Sequence, residues 1–242
     1  MFKTTLVLII AAMFSQLSLA GDIEMVVTGY YPANNIISES GDNWYGLYKD
    51  GDSYQLLKTS VKIIPCEKKI APGTPFKCVS VESEESPLFL VKGIDSVKAG
   101  DIQSVEVQRG TLYPGQHRMI EKVTDDDQRH VIAAQGTATY TEEHNGKVYC
   151  RNSGNPLFSD YKILLMRDNQ KYAQELISHK RMGPDRTPSV IWAGDIDGDG
   201  KLDLFMNLTW HYAMNHYALF LSSMAENGEY VKKVAELKSS GS

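Results

Sequence analysis

Three observations predict a mainly β protein of antiparallel strands and hairpins, sandwich-like, barrel-like or a partial propeller, with few helices. The turn dipeptides Asp50-Gly51 and Asn145-Gly146 lie between short runs rich in Tyr, Thr, Val and Leu, a strong hairpin signal. A Pro-Gly-Thr-Pro turn begins at Pro72 and separates two cysteine-bearing arms. The stretch with the most helix-like composition, residues 169–181, fits helical spacing only weakly and reads as a strand.

Residues 1–20 read as a secretory signal peptide. Lys3 supplies the positive start, residues 6–14 the apolar centre, and Ser18-Leu19-Ala20 a small-x-small cleavage site before Gly21. Ser15, Gln16 and Ser18 break the apolar run short of the roughly 20 residues that a membrane anchor needs. The mature chain is therefore expected in the periplasm or secreted, without stable membrane insertion.

An N-terminal β region, 21–98, is predicted to hold strands at 43–49, 52–57, 60–64, 76–81 and 88–92. An Asp50-Gly51 two-residue loop would set Tyr48 against Ser53 and Leu47 against Tyr54. Cys66 and Cys78 flank the Pro-Gly-Thr-Pro turn, which can fold the two arms together, and a disulfide is predicted between them. Cys150 is then left over and reads as a buried small hydrophobe. The acidic stretch 82–87 leads to residues 93–100, the predicted boundary with a C-terminal β region, 99–242. That region carries candidate strands at 103–108, 117–122, 131–134, 138–144, 147–150, 161–166, 173–179, 218–221 and 230–235.

Charge and motifs narrow the function. With 25 Lys and Arg against 30 Asp and Glu, the net charge is −5, and no basic cluster offers a footprint for nucleic acid. Neither a Gly-x-Ser-x-Gly elbow, a His-Glu-x-x-His pair, a P-loop nor a dinucleotide fingerprint is present. The Asp125-Asp126-Asp127 run reads as a solvated turn.

The chemistry concentrates in Asp195-Ile196-Asp197-Gly198-Asp199-Gly200-Lys201-Leu202-Asp203. Ca²⁺ takes roughly six to eight oxygen ligands, and alternate positions of a tight loop can converge on one ion. Asp195, Asp197, Asp199, the main-chain carbonyl of Lys201 and Asp203 supply such a set, with Gly200 permitting the sharp turn. An EF-hand would place a Glu where Met206 stands, and the flanks are β-like. A strand–loop–strand calcium site follows. Without a cation, four carboxylates this close repel one another at neutral pH.

The segment from Gly194 to Leu204 resembles the calcium loop of FG-GAP/VCBS-type repeats, known from integrin α-chain propellers and many secreted bacterial proteins. The likeness covers residues 190–222, and the loop occurs once. It implies ligand roles for Asp195, Asp197, Asp199, Lys201 (carbonyl) and Asp203, with Ca²⁺ as the cofactor.

Trp192, Trp210, His211, Tyr212 and Tyr217 crowd around the loop in sequence and form a candidate ligand surface. The reading that results is an exported calcium-binding, non-catalytic interaction protein in which Ca²⁺ stabilises a β loop. Its partner would be another exported protein, met as an inhibitor or immunity-type cap, or a glycan. The alternative is an exported hydrolase acting on polysaccharide or peptidoglycan, with Ca²⁺ in a structural role.

Overall fold

A computed structural model describes residues 23–67, 73–108, 110–123, 128–144, 147–150, 156–168, 170–183, 187–211 and 213–240. The signal-peptide segment, the 125–127 run, the Asn145-Gly146 turn and Tyr212 lie outside the described residues. The side chain of Cys150 lies outside them as well.

The prediction of an antiparallel β protein holds, with seventeen strands among the described residues. In chain order these are β1 (Glu24–Val26), β2 (Gly29–Pro32), β3 (Gly41–Asp50), β4 (Ser53–Cys66), β5 (Phe76–Val81) and β6 (Phe89–Lys92). Then come β7 (Gly100–Val105), β8 (His117–Ile120), β9 (His130–Thr139), β10 (Thr141–His144), β11 (Lys147–Cys150) and β12 (Leu157–Arg167). The last five are β13 (Ala173–Met182), β14 (Ser189–Asp195), β15 (Asp203–Asn207), β16 (Met214–Leu221) and β17 (Lys232–Ser240). A short 3₁₀ turn, Ala33–Asn35, follows β2.

Eleven strands form one nearly closed, barrel-like sheet in the order β1-β6-β3-β4-β7-β14-β15-β16-β17, with β5 and β2 added along the far half of β4. β7 is the stitch. Its first half pairs with β4 (Ile102 opposite Tyr54) and its second half with β14 (Ser104 opposite Gly194). Strands β13-β12-β9-β8 make a second sheet, and β10-β11 a separate hairpin. At the two ends of the large sheet, β1 and β17 lie side by side and share a cavity of about 100 Å³ with residues 35–38.

The predicted strands at 52–57 and 60–64 are one continuous strand, β4. The turn of the β3–β4 hairpin is also shifted by one residue, and its pairing therefore by two. Asp50 pairs with Ser53, so the loop is Gly51-Asp52, and Leu47 faces Leu56 instead of Tyr54. The reason is conformational. Gly51 has φ 58°, and the favoured hairpin turns require a positive φ at their first central residue, which glycine adopts without strain.

Two cores result. The first fills the barrel-like sheet with Trp44, Leu47, Leu56, Phe89, Trp192, Phe205 and Leu219 among others. The second lies between the outer face of β14–β16 and the four-stranded sheet, with Ile132, Tyr161, Ile163, Leu165, Leu204, Met206 and Phe220. Neighbouring residues of β15 and β16 enter opposite cores, Phe205 against Leu204 and Leu219 against Phe220. Strands buried on both faces read as unbroken apolar runs, as Leu204-Phe205-Met206 and Ala218-Leu219-Phe220-Leu221 do.

On β17 the buried face carries Leu237 and the outward one a charge cluster. Glu236 accepts hydrogen bonds from Lys233 (2.6 Å) and Lys238 (2.5 Å), and His216 Nε2 lies 3.1 Å away. Burial works against ionisation of Glu236, but these three partners outweigh it and hold its carboxyl at about 2.

The Cys66–Cys78 disulfide is present, with its Cα atoms 5.8 Å apart, and ties β4 to β5. It closes a loop of sequence separation 12, and the chain-entropy model gives such a loop about 3 kcal/mol. The Cys66→Ser/Cys78→Ser double variant is expected to melt about 6–12 °C lower, read by thermal denaturation without reductant. A second expectation concerns acid. Because the Glu236 carboxyl is depressed in the folded chain, its contribution is complete above the unfolded value of 4.5 and disappears as pH falls toward about 2. Glu236→Gln should cost about 1 kcal/mol or less at pH 7, given partial exposure, and the gap from the parent chain should close over that acid window in urea titrations.

Candidate metal centre

The loop between β14 and β15 is anchored by one apolar side chain on each side. Ile196 inserts into the first core and Leu202 into the second, each 2% exposed. Gly198 (φ 77°) and Gly200 (φ 80°) take the left-handed conformations that let so few residues reverse direction. The carboxylate of Asp195 then acts as the loop's internal template. Its Oδ1 accepts N–H bonds from Gly198 (2.8 Å) and Asp199 (3.1 Å), and its Oδ2 accepts from Gly200 (2.8 Å).

Asp203, fully buried, closes the loop from its other end. Its Oδ2 accepts the Ile196 N–H at 2.9 Å, and its Oδ1 accepts the Ser222 N–H at 2.8 Å and the Ser222 hydroxyl at 3.0 Å. Asp197, 6% exposed, points into the same space and accepts the Ser223 hydroxyl. Oxygens of Asp195, Asp197 and Asp203 lie within 4.8 Å of one another, a group that could hold a metal ion.

The electrostatics are unfavourable without a cation. Burial, reinforced by the neighbouring Asp197, pushes the Asp203 carboxyl well above the ordinary range against the pull of its Ser222 and Ile196 partners. Burial also raises Asp197, with Asp199 and Asp195 adding repulsion and the Ser223 hydroxyl opposing it. Among the described residues no lysine or arginine pairs with these three carboxylates; Lys201 reaches only Asp199, at 4.0 Å from outside.

Of the other two residues of the predicted set, Asp199 lies outside this trio. Asp199 turns toward the Ser222 hydroxyl (3.0 Å to each oxygen) and accepts the Lys201 N–H at 2.9 Å. It stands beside the buried trio, and the Lys201 side chain is exposed to solvent. Ser222 and Ser223, at the exit of β16, join the site with no signal in the sequence. They follow Asp203 at a distance that no local spacing rule covers, and two adjacent serines carry no motif.

Among the described residues the expected aromatic ligand surface does not come together. Trp192 is 2% exposed and meets Phe89 edge-on at 6.4 Å, while Tyr217 stacks on Phe205 at 5.9 Å, both with the first core. Trp210 packs instead against the second core and touches the His179 ring (5.5 Å) and the His211 ring (5.9 Å). Trp192 and Tyr217 both pack with the first core from β14 and β16, whereas Trp210 lies in the segment between β15 and β16 and packs with the second core.

Gly194 explains how the loop can sit against β7. A Cβ there would lie 2.3 Å from the Gln103 carbonyl oxygen, 2.4 Å from Trp192 Cζ2 and 2.9 Å from Ser104 Cα. Comparison with family models, with curated proteins and with solved structures finds no match to this chain.

Because two of those three atoms are backbone, Gly194→Ala has to push β14 away from β7. The expected cost is about 2–3 kcal/mol, seen as a lower urea midpoint with an unchanged slope.

Proposed function

We propose that this chain is an exported, non-catalytic binding protein whose 195–203 loop holds one Ca²⁺ as a structural staple. The observation that carries the reading is the convergence of three buried carboxylates without a basic partner among the described residues. Oxygen-only donors favour a hard cation, and an irregular, carboxylate-rich set suits the variable coordination of Ca²⁺ better than the strict octahedron of Mg²⁺. The likeness of the loop to FG-GAP/VCBS-type calcium loops supports the same ion. In this reading Asp195, Asp197 and Asp203 are ligands, Asp199 and the Lys201 carbonyl complete the shell, and Ser222 and Ser223 orient the carboxylates.

The staple joins three things: the ends of β14 and β15, both cores through Ile196 and Leu202, and the start of the β16–β17 connection. Its effect is to rigidify one end of the large sheet. The Cys66–Cys78 disulfide supports an oxidising compartment outside the cytoplasm. Among the described residues no helix is long and apolar enough to cross a membrane. The partner in this reading is another exported protein, capped as by an inhibitor or immunity protein, or a glycan.

Ca²⁺ at a hundredfold excess over its dissociation constant should add about 2.7 kcal/mol to folding, or about 5–11 °C in melting temperature. Chelator should reverse the gain, and Asp197→Ala should abolish it. Identical melting curves with chelator and with Ca²⁺, or a full shift surviving in Asp197→Ala, would refute the site.

A further inference from the structure

Strands β9 and β12 are written for burial on both sides, but the fold covers only one. Val131-Ile132-Ala133-Ala134 and Ile163-Leu164-Leu165-Met166 are unbroken apolar runs, the same pattern as in β15 and β16, which serve two cores. Ile132, Ala134, Ile163 and Leu165 do enter the second core. The residues between them point the other way. The register sets Val131 opposite both Met166 and Met119, Ala133 opposite Leu164, and Ala173 of β13 opposite Met166. These six side chains make an apolar block across all four strands, and none of them belongs to either core. Each is partly exposed, Met119 by 37%. A solvated face of an antiparallel sheet is ordinarily polar, and the centre of this one is not.

Polar residues frame the block. At one end Lys162 pairs with Glu175 at 2.6 Å, with Gln135 and Ser178 in the same row. At the other end Arg129 pairs with Asp168 at 2.8 Å. An apolar centre with a polar rim is the anatomy of a protein interface. The rim carries two cations and two carboxylates, so it gives an anionic lipid surface or a polyanion no net charge to bind.

The arrangement is self-complementary. A half turn about an axis across the strands, at the level of Leu165, lays the sheet on a copy of itself with strand direction reversed. Residues of β12 equally distant from Leu165 then meet, Leu164 with Met166 of the second copy and Lys162 with its Asp168. On β9 the axis passes at Ile132, the partner of Leu165, so Ala133 meets Val131 and Gln135 meets Arg129. Apolar falls on apolar and lysine on aspartate. Strands β9, β12 and β13 have 10, 11 and 10 residues. At about 3.4 Å per residue and 4.8 Å between strands, two such faces bury about 1,100 Å², enough for a weak specific interface.

We propose that this face pairs two copies of the chain, sheet on sheet, with Val131, Ala133, Leu164 and Met166 at the centre. No residue of the 195–203 loop takes part, so the pairing is independent of Ca²⁺.

The test is sedimentation velocity of the full chain from about 1 to 200 µM, with a monomer–dimer equilibrium of dissociation constant about 10–100 µM expected. Met166→Glu and Met119→Lys, both at partly exposed positions outside the cores, should each weaken association about tenfold or more without moving the urea midpoint of the monomer. Lys162→Asp and Asp168→Lys should each weaken it about tenfold, and the double variant should restore it. Restoration separates an interface from an effect on folding. Each single reversal breaks one ion pair within the chain and the double breaks both, so a purely structural effect would grow. A single species at monomer mass over the whole range overturns the proposal, as does association unchanged in Met166→Glu. A monomer that cosediments with phosphatidylglycerol vesicles, and no longer does so as Met166→Glu, assigns the face to lipid and overturns it as well.

Discussion

The constraint on which the rest of this molecule turns is the full burial of the Asp203 carboxylate. A charged group with no contact with water is tolerated only when its oxygens are satisfied and its charge is balanced. The chain meets the first requirement with the Ile196 and Ser222 N–H groups and the Ser222 hydroxyl. These bonds fix where the loop closes and where β16 ends. The second requirement is left to the space shared with Asp195 and Asp197, which concentrates negative charge instead of relieving it.

The position of that loop follows from the two-core plan. Strands β14 to β16 serve both cores at once, so their ends cannot slide without disturbing packing on either side. A loop pinned by Ile196 on one side and Leu202 on the other inherits this rigidity. Rigid supports are what a precise oxygen cage requires, and the close contact at Gly194 shows how little slack remains between β14 and β7.

Local signals are legible in this sequence and long-range ones are not. Residues 76–81 were predicted and observed as the same strand, and the Cys66–Cys78 pairing followed from the turn between them. β13 is a strand, as its weak helical spacing indicated. β1 and β2 went unrecognised because three or four residues carry no readable alternation, and β2 ends in Pro32. β17 runs on to Ser240 through Lys and Ser residues, as suits an edge strand with one solvated face. At the site, the periodic aspartates were legible, but the turning of Asp199 toward Ser222 depends on a contact from β16. The aromatic residues misled for a related reason. Proximity in sequence to the loop says nothing about which of two opposed faces a ring will occupy.

One topological fact carries a kinetic meaning. The outermost strands of the large sheet are the first and the last among the described residues, and β1 meets β17 along the seam that nearly closes the barrel-like body. Their apposition spans almost the whole described length, so its loop-closure entropy is the greatest of the strand contacts among the described residues. The seam is consequently a late event in assembly. A polypeptide emerging N-terminus first can pair β1 with β6 early, but holds β1 without β17 until that strand has been delivered, and the seam cannot form around a partly delivered chain.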